Sequence, residues 1–260
     1  MTIKSVFLFT PAELTQADRG PAAYAISLAR TASAHLTIFT VALDVTTPGQ
    51  HTDAAAVGLA LSRAADAAGV RHTLVTKHSH AIGVHEAIAE HARLHDVSVL
   101  GSSLSGLLSE KQITESLLFE SGRPAIVVPG SHSAPFRCGT VAAAWDNTGA
   151  AARALGDALA LLRPERMHLL TITGEKPVST DIGNASLVEL LARRGVAADH
   201  SVVPLGNRTI AAALQDEAID RRADLLCMGA YGHSRFRRFV FGSATADLLR
   251  NSKMPTLLSH

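Results

Sequence analysis

Five short apolar runs, separated by stretches with apolar residues three and four apart, occur in the first half of this chain. The same series returns, in the same order, in the second half. The first series predicts strands near Val6 to Thr10, Leu36 to Leu43, His72 to Lys77, Val97 to Gly101 and Ala125 to Val128. It places helices over Ala22 to Ala34, Ala54 to Ala68, Val84 to Leu94 and Ile113 to Ser121. The second predicts strands near Thr140 to Trp145, His168 to Thr173, His200 to Val203, Asp224 to Met228 and Thr256 to Leu258. Its helices fall near Ala150 to Leu162, Ser186 to Arg194, Thr209 to Arg222 and Ala244 to Asn251. The repeat reaches single residues: Ser116 to Pro124 aligns without gaps against Asp247 to Pro255, and each segment then enters a short apolar strand.

Short apolar runs that alternate with helices form parallel sheets covered on both faces. A duplicated unit of ~130 residues is an ordinary domain size. The expected fold class is therefore α/β, with two tandem Rossmann-like domains, each a five-stranded parallel sheet flanked by helices. The expected boundaries are 1–130 and 136–260, joined by the Pro/Gly/Ser-rich stretch Pro129 to Pro135.

Hydrophobic residues make up 47% of the chain but aromatics only 4%, so the cores are expected to be Ala, Leu, Val and Ile. A formal charge of +1 with no long basic tract argues against a nucleic-acid partner. Cys138 and Cys227 fall in apolar or strand-like segments rather than a paired framework, which predicts inert core thiols and a reducing compartment. The apolar run Val6 to Phe9 is too short for a signal-peptide core or a membrane span, so a cytoplasmic location is expected.

The stretch Met228-Gly229-Ala230-Tyr231-Gly232, followed nine residues later by Gly242-Ser243-Ala244-Thr245, carries the chemistry. An apolar strand precedes it and helical spacing follows. Glycines let a main chain approach a ligand closely, and the N–H groups of Ser243, Ala244 and Thr245 at a helix start favour negative charge. In open α/β sheets ligands bind beyond the carboxyl ends of the strands, where this turn must lie. The spacing predicts a nucleotide.

These residues resemble the universal stress protein family in its tandem two-domain form, with an adenine nucleotide alpha hydrolase-like fold. The family motif is Gly, two residues, Gly, nine residues, then Gly-Ser or Gly-Thr, and Gly229, Gly232 and Gly242-Ser243 fill every fixed position. Met228 before it and Ala244-Thr245 after it resemble the ATP-binding branch. The resemblance implies a carboxylate at the end of the first strand that contacts the nucleoside, supplied by Asp146. It also implies an apolar residue beside adenine, which is Ile172 or a residue one step away. It further implies ATP with Mg2+ as its companion, a nucleotide-sensing role in stress survival, an intramolecular pseudo-dimer through the last strands, and a homodimer.

The first half departs from that pattern. Gly101 stands at its strand end, but Leu104 replaces the second glycine, Lys111-Gln112 align with Gly242-Ser243, and Pro11 occupies the position of Asp146. This half is expected to have lost ATP binding.

Plainer readings compete at several positions. Asp146 is a suitable cap for the helix that follows, Ser243 or Thr245 for the next one, and Trp145 is a packing residue. His233, Arg235, Arg237 and Arg238 lie between the glycines, where one or two could meet phosphate. His72, His78, His80, His85, His91 and His95 cluster in sequence without a tetrahedral ligand set and read as surface histidines rather than a metal site. No P-loop or kinase signature is present, so no catalytic residue is assigned. At most slow ATP hydrolysis is expected, the alternative being a nucleotide-dependent enzyme with another ligand in the first domain.

Overall fold

A computed structural model describes residues 1–11, 19–43, 54–79, 83–102, 110–174, 184–230 and 243–260. The chain divides into two compact units, Thr2–Phe136 and Arg137–His260. In the first, β1 (Ser5–Pro11), β2 (His35–Leu43), β3 (His72–Ser79), β4 (Val97–Gly101) and β5 (Ala125–Val128) alternate with α1 (Arg19–Ala32), α2 (Ala54–Ala67), α3 (Val84–Ala92) and α4 (Glu110–Glu115). In the second, β6 (Thr140–Ala144), β7 (Arg166–Thr173), β8 (Ala197–Pro204), β9 (Leu225–Gly229) and β10 (Thr256–Ser259) alternate with α5 (Gly149–Leu161), α6 (Asn184–Arg193), α7 (Ile210–Asp220) and α8 (Ser243–Arg250).

Each unit holds a five-stranded parallel sheet, in the order β3-β2-β1-β4-β5 in the first and β8-β7-β6-β9-β10 in the second. Strands β4, β5 and β10 are short and apolar because both their faces are covered. All of Val97–Gly101, Ala125–Val128 and Thr256–Ser259 is buried. Strand β8, outermost in its order, is mostly half-buried instead.

The registers of the two sheets superpose residue for residue. Val6 lies between Leu36 and Val97, and Val141 between Met167 and Leu225. The hydrogen bond from Ser98 N–H to Pro124 O (3.0 Å) has its twin in Leu226 N–H to Pro255 O (3.0 Å). A carboxylate fastens the first strand in both units: Asp96 accepts from the N–H groups of Lys4 (2.7 Å) and Ser5 (2.9 Å), and Asp224 from Thr140 N–H (3.0 Å).

Two local departures have identifiable causes. The single helix expected over Ile113 to Ser121 is α4 followed by one π-helical turn, Ser116–Glu120. Such a turn absorbs an extra residue without breaking the helix. The stretch expected as a linker packs on its own unit rather than running free. Phe136 is buried, its N–H donates to Ser27 Oγ (3.1 Å), and its ring meets the edge of Tyr24 at 5.4 Å. Gly20 in the first turn of α1 lies so close to this strap that a Cβ there would sit 2.5 Å from His132 O.

Candidate functional site

In the second unit the strand order reverses at β6, which pairs with β7 on one side and β9 on the other. A crevice at that point is where open α/β sheets take ligands. Ala144 pairs with Leu170 and Ala143 with Cys227, so the same registers carried on by two and three residues bring Asp146 level with Ile172 and with Ala230, just past Gly229. The pairing continues past the strand end, since Trp145 N–H donates to Leu170 O (2.8 Å) and Thr171 Oγ1 donates to Trp145 O (2.7 Å). With its proton committed there, the Thr171 hydroxyl accepts from His200 Nε2 (2.9 Å). Burial holds the His200 imidazole below the usual histidine range, with Asp199 opposing.

Asp146 is exposed, and its Oδ1 accepts two hydrogen bonds from one residue, Thr148 N–H (3.1 Å) and Thr148 Oγ1–H (2.6 Å). Asn147 between them has φ +61°, a left-handed conformation that Asn tolerates better than most side chains. The residue that caps α5 is therefore Thr148, whose Oγ1 accepts from Ala151 N–H (3.2 Å), and not Asp146. Sequence reasoning missed Thr148, although a Thr immediately before an Ala-rich helical run is an N-cap signature.

Gly229 has a second reason to be glycine. A Cβ there would lie 2.5 Å from the carbonyl carbon of Ala150 and 2.7 Å from Ala151 N, so α5 starts against bare backbone of β9. Met228 is buried at 5% exposure, leaving its main chain rather than its side chain to face a ligand. Helix α8 begins at Ser243. Ala244 in its first turn is half-buried, and Thr245 is 2% exposed. The far end of α8 is anchored. Thr209 Oγ1 bonds Asp247 Oδ2, and buried Gln215 donates to Asn251 O (3.1 Å) and accepts from Lys253 N–H (2.6 Å). Gly232 and Gly242, and with them His233, Arg235, Arg237 and Arg238, lie outside the described residues, as does the side chain of Ser243.

In the first unit the shared register puts Pro11 where β6 leads to Asp146, and Gly101 where β9 ends in Gly229. A small cleft there is lined by Leu8, Phe9, Thr10, Pro11, Pro21, Ala22 and Gly101, with no carboxylate among them. Leu104 lies outside the described residues, as do the side chain of Lys111 and all of His80.

Of the clustered histidines, His78 is exposed and His72, His85 and His91 are half-buried, while His95 departs from the surface reading. His95 is 9% exposed, and it bonds His91 O through Nδ1 (2.8 Å) and Thr37 Oγ1 through Nε2 (2.8 Å). The His91 ring packs on Phe39 at 4.8 Å. Burial lowers the affinity of both rings for a proton. Among the described residues no three His, Cys, Asp or Glu side chains gather as a metal site. Both cysteines are free; Cys227 is fully buried against Ala154 O (3.2 Å), and burial pushes its thiol far up. No helix among the described residues is long and apolar enough to cross a membrane.

The pattern of the universal stress protein family matches residues 139–260. A stretch of 38 residues, 15% of the chain, is 55% identical to universal stress protein Slr1230 of Synechocystis sp., although it spans only 13% of that relative. The fold is similar over nearly its full length to a universal stress protein from Archaeoglobus fulgidus, at TM-score 0.69 and 15% identity, covering 97% of this chain and 95% of that one. It is also similar to a putative universal stress protein from Pseudomonas aeruginosa, at TM-score 0.65 and 14% identity, covering 99% of this chain and 93% of that one. Residues 139–260, a little under half of the chain, form a universal stress protein domain.

Proposed function

We propose that the second unit binds ATP, with Mg2+ as its companion, and that the chain is a nucleotide-sensing regulator of stress survival in the cytoplasm. The observation that carries this reading is the register that sets Asp146 and Gly229 on either side of the point where the strand order reverses. Asp146 accepts a hydroxyl of the nucleoside and Ile172 offers an apolar side to the base. The main-chain N–H groups of Ser243, Ala244 and Thr245 meet the phosphates together with Gly232 and Gly242. Met228 and Gly229 bring bare backbone to the same place. Mg2+ needs few protein ligands when it bridges phosphate oxygens.

The role is binding rather than turnover. A phosphate held at the first turn of α8 pulls on a helix whose last turn is tied to α7 through Gln215, so α8 is the element that reports occupancy. A homodimer belongs to the same reading and is checked by sedimentation with and without ATP.

The test is calorimetry on the full chain with MgATP, beside native mass spectrometry of the purified protein. Gly232→Leu copies Leu104 of the first half and should lower affinity by roughly a hundredfold or more, with far-ultraviolet dichroism unchanged. An unaltered Kd sinks the assignment. ATP left intact over hours with Mg2+ supports the regulator; steady hydrolysis that Gly242→Asp removes supports a slow ATPase instead.

A further inference from the structure

We propose that Thr148 is a positioning residue that sets the Asp146 carboxylate to receive a ribose hydroxyl, and that Gly229 acts on that carboxylate at one remove. This rests on the nucleotide reading above and adds to it what holds the Asp146 carboxylate in place. The bonds form one chain. Because Gly229 has no Cβ, the Ala150–Ala151 turn lies against β9. Ala151 N–H then caps Thr148 Oγ1 at 3.2 Å, which fixes the hydroxyl's lone pair inward and its proton outward. That proton and the Thr148 N–H both fall on Asp146 Oδ1, at 2.6 Å and 3.1 Å. The positive φ of Asn147 closes the turn that lets one residue grip the carboxylate twice.

A carboxylate has about four acceptor positions, and the two bonds from Thr148 restrict how its plane can turn. An exposed Asp without that grip samples several rotamers, and a ligand must then order it at its own entropic cost. Thr148 therefore contributes to the preference for a sugar with hydroxyls over one without, rather than to binding as a whole. The first unit has Pro11 at the carboxylate's position and cannot repeat the arrangement.

The experiment compares Kd for ATP and for 2′,3′-dideoxy-ATP by calorimetry on the full chain. The wild-type protein should favour ATP by about tenfold or more, the size of a hydrogen bond to a charged acceptor. Thr148→Val should bring that ratio close to one, with dideoxy-ATP affinity changed by no more than about twofold. Thr148→Ser, which keeps hydroxyl and N–H, should restore the ratio, and Thr148→Val placed on Asp146→Ala should add nothing. Without nucleotide, Asp146→Ala should speed amide exchange at Thr148. Equal weakening of both nucleotides by Thr148→Val, or no rescue by Ser, would show a merely structural cap and overturn the inference alone. If neither nucleotide binds the wild-type chain, the site reading falls and takes this inference with it.

Discussion

Where the first strand of one unit ends in Pro11, that of the other leads into Asp146, and around this difference the two halves are built alike. Register, strand order, the Asp96 and Asp224 fastenings and the entry to the last strand all coincide. Those shared features involve buried backbone and the hydrogen bonds that satisfy it, which a sheet cannot give up and remain a sheet. The features that differ lie at the carboxyl edge, where a change leaves the hydrogen bonds of the sheet intact. The first unit also has a strap laid over α1.

The comparison breaks most readily at two glycines. Gly229→Ala forces a methyl to within 2.5 Å of helix backbone in α5 and should destabilise the second unit by about 2–3 kcal/mol, read as a lower urea midpoint. Gly20→Ala meets His132 O at the same 2.5 Å, but the strap can yield and α1 gains helix propensity, so its loss should be about 1 kcal/mol or less. Equal losses would mean that the strap is as rigid as α5.

Next come the fastenings. Asp96 accepts from Lys4 N–H, Ser5 N–H and Ser5 Oγ, Asp224 from Thr140 N–H. Asp96→Ala should therefore cost about 1–3 kcal/mol and Asp224→Ala about 1, by denaturant titration. Burial alone would raise the Asp96 carboxyl, but its backbone and Ser5 bonds outweigh that and hold it below its ordinary 3.8. Its contribution is then full above pH 3.8 and lost as pH falls through the folded value.

A smaller effect separates the units in mild acid. Burial lowers the proton affinity of His91, His95 and His132 in the first unit and of His200 in the second. Each of these groups binds fewer protons folded than unfolded, so stability is full above the ordinary value of 6.5 and declines as pH drops below it. Hydrogen exchange corrected for intrinsic rate should show peptides of the first unit losing more protection between pH 7.5 and pH 5.5. Equal losses in both units would contradict the difference.

Most of the fold was legible because apolar runs and helical spacing are local signals. Among the described residues the ten strands and eight α-helices lie where the pattern puts them, with ends shifted by a few residues as at Arg166 and Asn184. The π-helical turn at Ser116 was not legible, since its residues have ordinary helical spacing. The site was legible as composition and less so as cause. Gly229 reads in sequence as a ligand contact, yet its contact with α5 comes from a residue nearly eighty positions earlier. Thr148 was hidden by the better-known Asp146 beside it. His95 looked like one polar residue among many because burial depends on Phe7 and Thr37, which come from other strands.

The packing of Phe136 and His132 on Tyr24 bears on how the protein can be dissected. A first-half fragment cut at residue 130, where composition suggests scissors, would leave one aromatic ring wet on two sides and Ser27 short of a donor. Cut one residue after Phe136, the same piece keeps its own clasp and should be the more soluble of the two.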